Sequence, residues 1–212
     1  VPISEVALDW WVIPNRDINP EAEETKLEVL VVAIHNSVVN QYQDLAKAVE
    51  VQPAFFEIET FAAIRSVFGG DLAPTAILDI GAGATKMAIV DYGIVRLSHT
   101  IGKGSQDITL AISRALSVDF AKAEEIKRQV GLVERLEGPD VAATVSGIVE
   151  YIFSDVNKVI AAYQEKQRKA VSKIILIGSG ALLKGLLELA GKNFSVPVVL
   201  GKPFDKVVAP AF

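Results

Sequence analysis

Asp79-Ile80-Gly81-Ala82-Gly83-Ala84-Thr85-Lys86 is the stretch on which the fold turns. It stands between two apolar, β-rich runs, Thr75–Ile80 and Thr85–Asp91, rather than between a strand and a helix. A dinucleotide fingerprint must open a helix and needs a third glycine, and a P-loop needs a glycine directly before a Lys-Ser/Thr pair. Both are excluded. What remains is a β-hairpin whose glycines let bare backbone amides come close to a phosphate. Asp79, at the end of the first strand, aims a carboxylate at the same point. That suits magnesium held through its water shell, or the orientation of an attacking water, and Thr85 adds a hydroxyl donor. The plain alternative is a hairpin turn whose Asp79 bonds to nearby backbone amides.

Downstream of the hairpin, Asp91-Tyr92-Gly93 leads into a third strand, Ile94–Ile101. Apolar periodicity predicts helices at Ser105–Leu116 and 119–130, a break at 131–139, and a long helix over 140–169. A buried-type strand, Lys173–Ile177, then meets the turn Gly178-Ser179-Gly180, followed by a helix at 181–190 and a last strand at 196–200. This second glycine turn ends a strand and opens a helix, which places helix-start amides beside an anion. It also has a bland reading, glycine needed for geometry alone. Between the two turns, Glu124 and Lys127 are three residues apart on one helix face. They are candidates for holding a ribose and an adenine, or an exposed ion pair worth a few tenths of a kcal/mol.

Upstream, residues 6–12 read as a strand, 14–24 as an acidic, turn-rich hairpin loop, and 26–34 as a β-rich run buried on both faces. Asn36-Ser37 offers an N-cap for a helix carrying Val38, Tyr42, Leu45, Ala46 and Val49. Residues 54–58 read as a further strand, and 59–68 as a short helix stopped by Gly69-Gly70. Residues 1–58 are thus expected to be a β-β-α-β module with its own sheet, a packing or interaction unit. Trp10 and Trp11 are adjacent on one strand and point to opposite faces, so one can pack inward while the other stays available.

Composition narrows the classes. The chain of 212 residues has no cysteine, two histidines far apart (His35 and His99), and a net charge of −5. A disulfide framework, a thiolate zinc site and a histidine metal site are therefore not expected, and neither is a general attraction to nucleic acid or anionic lipid. The longest apolar runs fall far short of the ~20 residues that span a bilayer, and no signal peptide is read, so a soluble, intracellular α/β protein is expected without direct membrane insertion.

The ordered set of hairpin, helix pair and second glycine turn resembles the second half of an ATPase of the actin, Hsp70 and sugar-kinase superfamily. Within it, residues 2–6, 28–33, 56–62 and Ile101-Gly102-Lys103-Gly104 resemble PilM-like type IV pilus assembly proteins, relatives of the division protein FtsA; the resemblance covers nearly the whole chain. It implies an actin-like, ribonuclease-H-like ATPase domain 2 over 71–212, preceded by a subdomain 1C-like module over 1–58 and a connecting helix at 59–70. Gly81, Gly83 and Thr85 would belong to a phosphate loop, Glu124 and Lys127 to the nucleoside-contacting helix, and Gly178, Ser179 and Gly180 to an adenosine loop. Asp79 would hold Mg²⁺ through water and position the reacting water. The implied cofactors are ATP and Mg²⁺. The implied partner is the N-terminal cytoplasmic peptide of a PilN-like inner-membrane protein, with self-association allowed. The implied place is the cytoplasm, peripheral to the inner membrane through partners. By the same resemblance the chain is expected to be a fragment lacking subdomain 1A, which alone binds ATP weakly or not at all and has no measurable turnover. The function implied is a pilus-assembly scaffold, at most a weak hydrolase. The alternatives are an FtsA-like division filament protein and a kinase of the superfamily; a kinase needs a general base, and residues 1–58 offer no evident one.

Overall fold

Alternation along the central strands explains the two-sided core. The computed structural model describes residues 2–13, 27–132 and 141–208, so the expected loop at 14–24 and most of the break at 131–139 lie outside the described residues. The chain divides into two compact units, Val1–Glu57 and Ile58–Phe212.

In the second unit, strands β3 (Thr75–Ile80), β4 (Thr85–Asp91), β5 (Ile94–Ile101), β6 (Lys173–Ile177) and β7 (Val198–Leu200) form one sheet in the order β5-β4-β3-β6-β7. The hairpin strands β3, β4 and β5 pair antiparallel, whereas β6 runs parallel to β3 and β7 parallel to β6. A parallel neighbour needs a long crossover. Helices α3 (Ser105–Leu116), α4 (Phe120–Val130) and α5 (Val141–Gln167) supply it. One face of the sheet, carrying Leu78, Met87, Ile89, Ile174 and Leu176, is buried under Ile112 of α3 and Val145, Val149, Phe153 and Val156 of α5. The other face carries Ile77, Ala88, Val90 and Ile175, and packs on Ile64 of α2 (Glu59–Val67). Asp119 caps α4, its carboxylate accepting the Lys122 N–H at 2.7 Å.

The helix expected at 181–190 divides. Ser179–Leu182 is a 3-10 turn, and α6 runs Leu186–Asn193 behind Gly185, whose φ of +80° breaks the run. Beyond β7, the Lys206 ammonium donates to the carbonyls of Arg65 (2.8 Å) and Phe68 at the end of α2. It satisfies carbonyls that a helix C-terminus leaves without partners.

The first unit pairs β1 (Val6–Ile13) antiparallel with β2 (Glu28–His35), followed by α1 (Asn36–Ala48). Three expectations change here. Residues 54–58 form no strand. The cap position of α1 is His35, while the Asn36 amide donates to the Ser4 carbonyl at 3.1 Å instead of capping. Strand β2 is not buried on both faces: Leu30, Val32 and Ile34 are half-buried, and Val29 and Val31 are exposed, because a two-stranded layer has too little beside it to cover both sides. Trp10 and Trp11 are both more than half exposed, at 64% and 52%, so neither packs inward.

Candidate functional site

The two glycine turns meet at the end of β3. A Cβ placed on Gly178 would stand 2.3 Å from Asp79 Oδ1 and 2.6 Å from the Ile80 carbonyl oxygen, and one on Gly180 would stand 2.4 Å from Ile80 Cγ2. Only glycine allows this approach, and Gly178 also has a φ of +84°. The β6 exit is thereby laid directly against Asp79. The start of α3 is bound to the hairpin as well, since Ser105 N–H donates to the Gly81 carbonyl and Gln106 N–H to the Ala82 carbonyl, both at 2.9 Å. A Cβ on Gly104 would collide with Ala82 O at 2.4 Å.

Within the hairpin the donors are partly spent. Gly81 N–H closes the turn onto the Ala84 carbonyl at 3.1 Å. Thr85 is fully buried and its hydroxyl donates to the Lys103 carbonyl at 2.8 Å, so it secures the 102–104 loop and is not the outward donor expected. Gly83 faces open space.

A cavity of about 340 Å³ opens beside these turns, within the usual size of small-molecule sites. Glu124, Lys127 and Arg128 of α4, Ser105 of α3, and Ser179 and Gly180 of the β6 exit line it, with Ile108, Leu182 and Leu183 as apolar walls. The structure therefore brings Glu124, Lys127, Ser179 and Gly180 together. Asp79, Gly81, Gly83, Thr85 and Gly178 do not line that cavity; Asp79 lies against Gly178, the residue before Ser179.

Glu124 and Lys127 are not the exposed pair that spacing alone allows. Lys127 is buried, its ammonium donating to Glu124 Oε2 (2.7 Å), Thr109 Oγ1 (2.9 Å) and the Ser105 carbonyl (3.1 Å). Arg128 Nε donates to the other Glu124 oxygen at 3.0 Å. Partial burial works against the Glu124 charge, but hydrogen bonds from Lys127, Thr109 and Arg128 outweigh it and hold the carboxyl at about 2. Ser105, Thr109 and Arg128 escaped the sequence reading. A signal for the buried lysine was present: Ala123, Lys127 and Val130 share the inward stripe of α4.

Asp79 is half-buried, and burial pushes its pKa up. It has no hydrogen-bond or ion-pair partner among the described residues. No cluster of three or more metal-ligating side chains occurs among the described residues either. A lone, unpartnered carboxylate fits magnesium, which keeps several waters and binds through one or two carboxylates together with ligand phosphates.

Comparison with known proteins follows the same lines. The family model described as "Cell division protein FtsA" matches residues 76–212. Curated relatives include the FtsA proteins of Neisseria meningitidis serogroup B, 28% identical over 64% of this chain and 39% of that protein, and of Pseudomonas aeruginosa, 26% identical over 86% and 48%. The chain spans about half the length of the curated relatives it matches. Among solved structures, a PilM-PilN type IV pilus biogenesis complex superposes with a TM-score of 0.77 at 20% identity, over 96% of this chain and 58% of that one. MreB5 of Spiroplasma citri bound to ADP superposes with a TM-score of 0.60 at 17% identity, over 80% and 62%. These likenesses show an actin-like ATPase fold.

Proposed function

Because this chain belongs to the FtsA family of actin-like proteins, we propose that it is the nucleotide-binding part of an assembly component, a scaffold first and a weak hydrolase at most. The observation that carries the nucleotide reading is the cavity in which the α4 cluster meets the β6 exit. Buried Lys127 fixes Glu124 and the start of α3, Arg128 lays a planar cation along the rim, and Ser179 and Gly180 supply the opposite wall. Gly83 and Asp79 stand on the phosphate side. Asp79 would hold hydrated Mg²⁺, which when bound neutralises phosphate charge. Solved neighbours are bound to ADP or AMPPNP, which supports the adenine assignment.

For the assembly itself we favour a PilM-like role, gripping the N-terminal peptide of a PilN-like inner-membrane protein from the cytoplasmic side. The likeness to the PilM-PilN complex supports it, because it extends over 96% of the chain and so includes the first unit. The exposed Leu8, Trp10, Val29 and Val31 of that unit form an apolar face suited to a peptide. The second reading, an FtsA-like division filament, is favoured by the family model and by the curated relatives.

Calorimetry with MgATP on the protein carrying this chain tests the site. Ser179→Phe, at an exposed position, should fill the cavity and weaken binding at least tenfold with an unchanged melt. Equal affinity in that variant would show that the nucleotide binds elsewhere. Co-sedimentation with a PilN-like peptide, against nucleotide-dependent pelleting of the protein alone, separates the two assembly readings.

A further inference from the structure

Asp79 and Lys86 stand directly opposite one another in the β3–β4 register. Their Cβ atoms therefore lie about 4.5–5.5 Å apart on one face, the position in which opposite charges ordinarily pair. Here the Lys86 ammonium pairs instead with Glu59, in the first turn of α2. Asp79 keeps no partner among the described residues. Between them lies a cavity of about 10 Å³, lined by Thr60, Asp79, Lys86 and Ile177 among others, room for one water at most. One cation stands between two carboxylates carried by different elements.

We propose that Lys86 is a positioning residue with two alternative partners. Paired with Glu59, it leaves Asp79 open to a hydrated divalent cation and holds the first turn of α2. Paired with Asp79, it takes the cation's place and releases that turn. The role of the cation rests on the nucleotide reading above.

The physical reason is charge. A divalent cation at Asp79 repels the ammonium toward Glu59, and an uncompensated Asp79 draws it back across the strand pair. The coupling is reciprocal: whatever strengthens the Glu59–Lys86 pair strengthens the cation site, and the cation strengthens the pair. Helix α2 is built to register the change, because its buried anchor is Ile64, more than a turn from Glu59. The first turn carries no fully buried residue, so the ion pair adds to a hold that is otherwise only partly buried.

Two arms test this on the protein carrying this chain. In the first, ATP is titrated with Mg²⁺ and with EDTA. Glu59→Gln should weaken the magnesium-dependent part of the affinity about five- to tenfold, within the usual range of a coupling between sites. The double variant Glu59→Gln/Lys86→Met should restore it to the starting level or better. A neutral Glu59→Gln, or a double variant as weak as the single, overturns the proposal; a merely structural pair would give no such rescue. In the second arm, without nucleotide, hydrogen exchange is followed at the Phe61 and Ala62 amides, which bond to the Ile58 carbonyl. Asp79→Asn should slow their exchange about fivefold, and Lys86→Met should abolish the slowing. Unchanged exchange overturns the proposal as well. If no form binds ATP, the nucleotide reading fails, and the exchange arm still decides whether Lys86 has two partners.

Discussion

Gly178→Ala is the substitution that most directly probes how the two glycine turns are joined. The new methyl would meet the Asp79 side chain at Oδ1 (2.3 Å), which would have to turn away, and the Ile80 carbonyl oxygen at 2.6 Å, a backbone atom with no rotamer to escape into. It would also force a side chain onto φ +84°, ψ 164°, a region essentially reserved for glycine. Backbone strain of that kind costs about 1–3 kcal/mol, and overpacking a close contact costs about as much. We expect about 3 kcal/mol in total. For a unit of this size each kcal/mol moves the melting temperature by about 2–4 °C, so Gly178→Ala should melt about 6–12 °C low. Gly147, exposed within α5 and with no neighbour near its missing methyl, is the matched control. Gly147→Ala should gain about 0.5–1 kcal/mol from backbone entropy. Thermal melts followed by far-UV circular dichroism measure both. A Gly178→Ala protein melting within 2 °C (about 1 kcal/mol) of the parent would refute the apposition of β6 exit and Asp79.

Glu124→Gln should cost about 2–3 kcal/mol at pH 7, because the buried Lys127 loses its charged acceptor. Glu124 is depressed from 4.5 to about 2, so its contribution is full above pH 4.5 and drains as pH falls toward 2. Urea melts should therefore show the parent and variant converging across that window; a constant gap would contradict the assignment. Thr85→Val should cost about 1–2 kcal/mol by orphaning the Lys103 carbonyl, yet leave ATP affinity unchanged. A stable Thr85→Val protein that no longer binds would make the hydroxyl a ligand donor after all. Asp79→Asn should be no less stable than the parent, since it removes an unpaired, half-buried charge, while losing magnesium dependence in calorimetry. Trp10→Ser should leave the melt within about 0.5 kcal/mol, as exposed substitutions do, and weaken partner-peptide binding.

Much of the second unit was legible because its strands end at residues with backbone reasons to end there. Gly81 and Gly83 close the β3–β4 hairpin, Tyr92-Gly93 the next, and all four strands from β3 to β6 begin and stop where their pattern predicts. The division of residues 181–190 was not legible, since Ala181, Leu182, Leu186 and Leu189 keep a helical period straight through Gly185. Only the backbone shows that Gly185 is used at positive φ. In the site, the residue types were visible but their commitments were not. Thr85 looks like a donor in sequence, and only its contact with Lys103, 18 residues away, reveals where the proton goes. For Glu124 and Lys127 the spacing allows both a ligand-holding pair and an exposed one, because it fixes a face without saying what covers it. In the first unit, apolar β2 suggested burial, but apolarity records what a strand tolerates and not how many layers lie on it.

The bond from Lys206 to the end of α2 has a use in engineering. Helix α2 is the first element of the second unit and Lys206 lies at the end of that helix, so a unit cut at residues 58 and 208 would have both cut ends within about a helix length of one spot. Chains with neighbouring ends tolerate being cut open elsewhere and rejoined, or being spliced whole into a host loop. A permuted version of that excised unit, with the two cut ends bridged by a short flexible linker beside Lys206, would carry both glycine turns and the α4 cluster uncut. The ligand site could then be grafted as a single cassette.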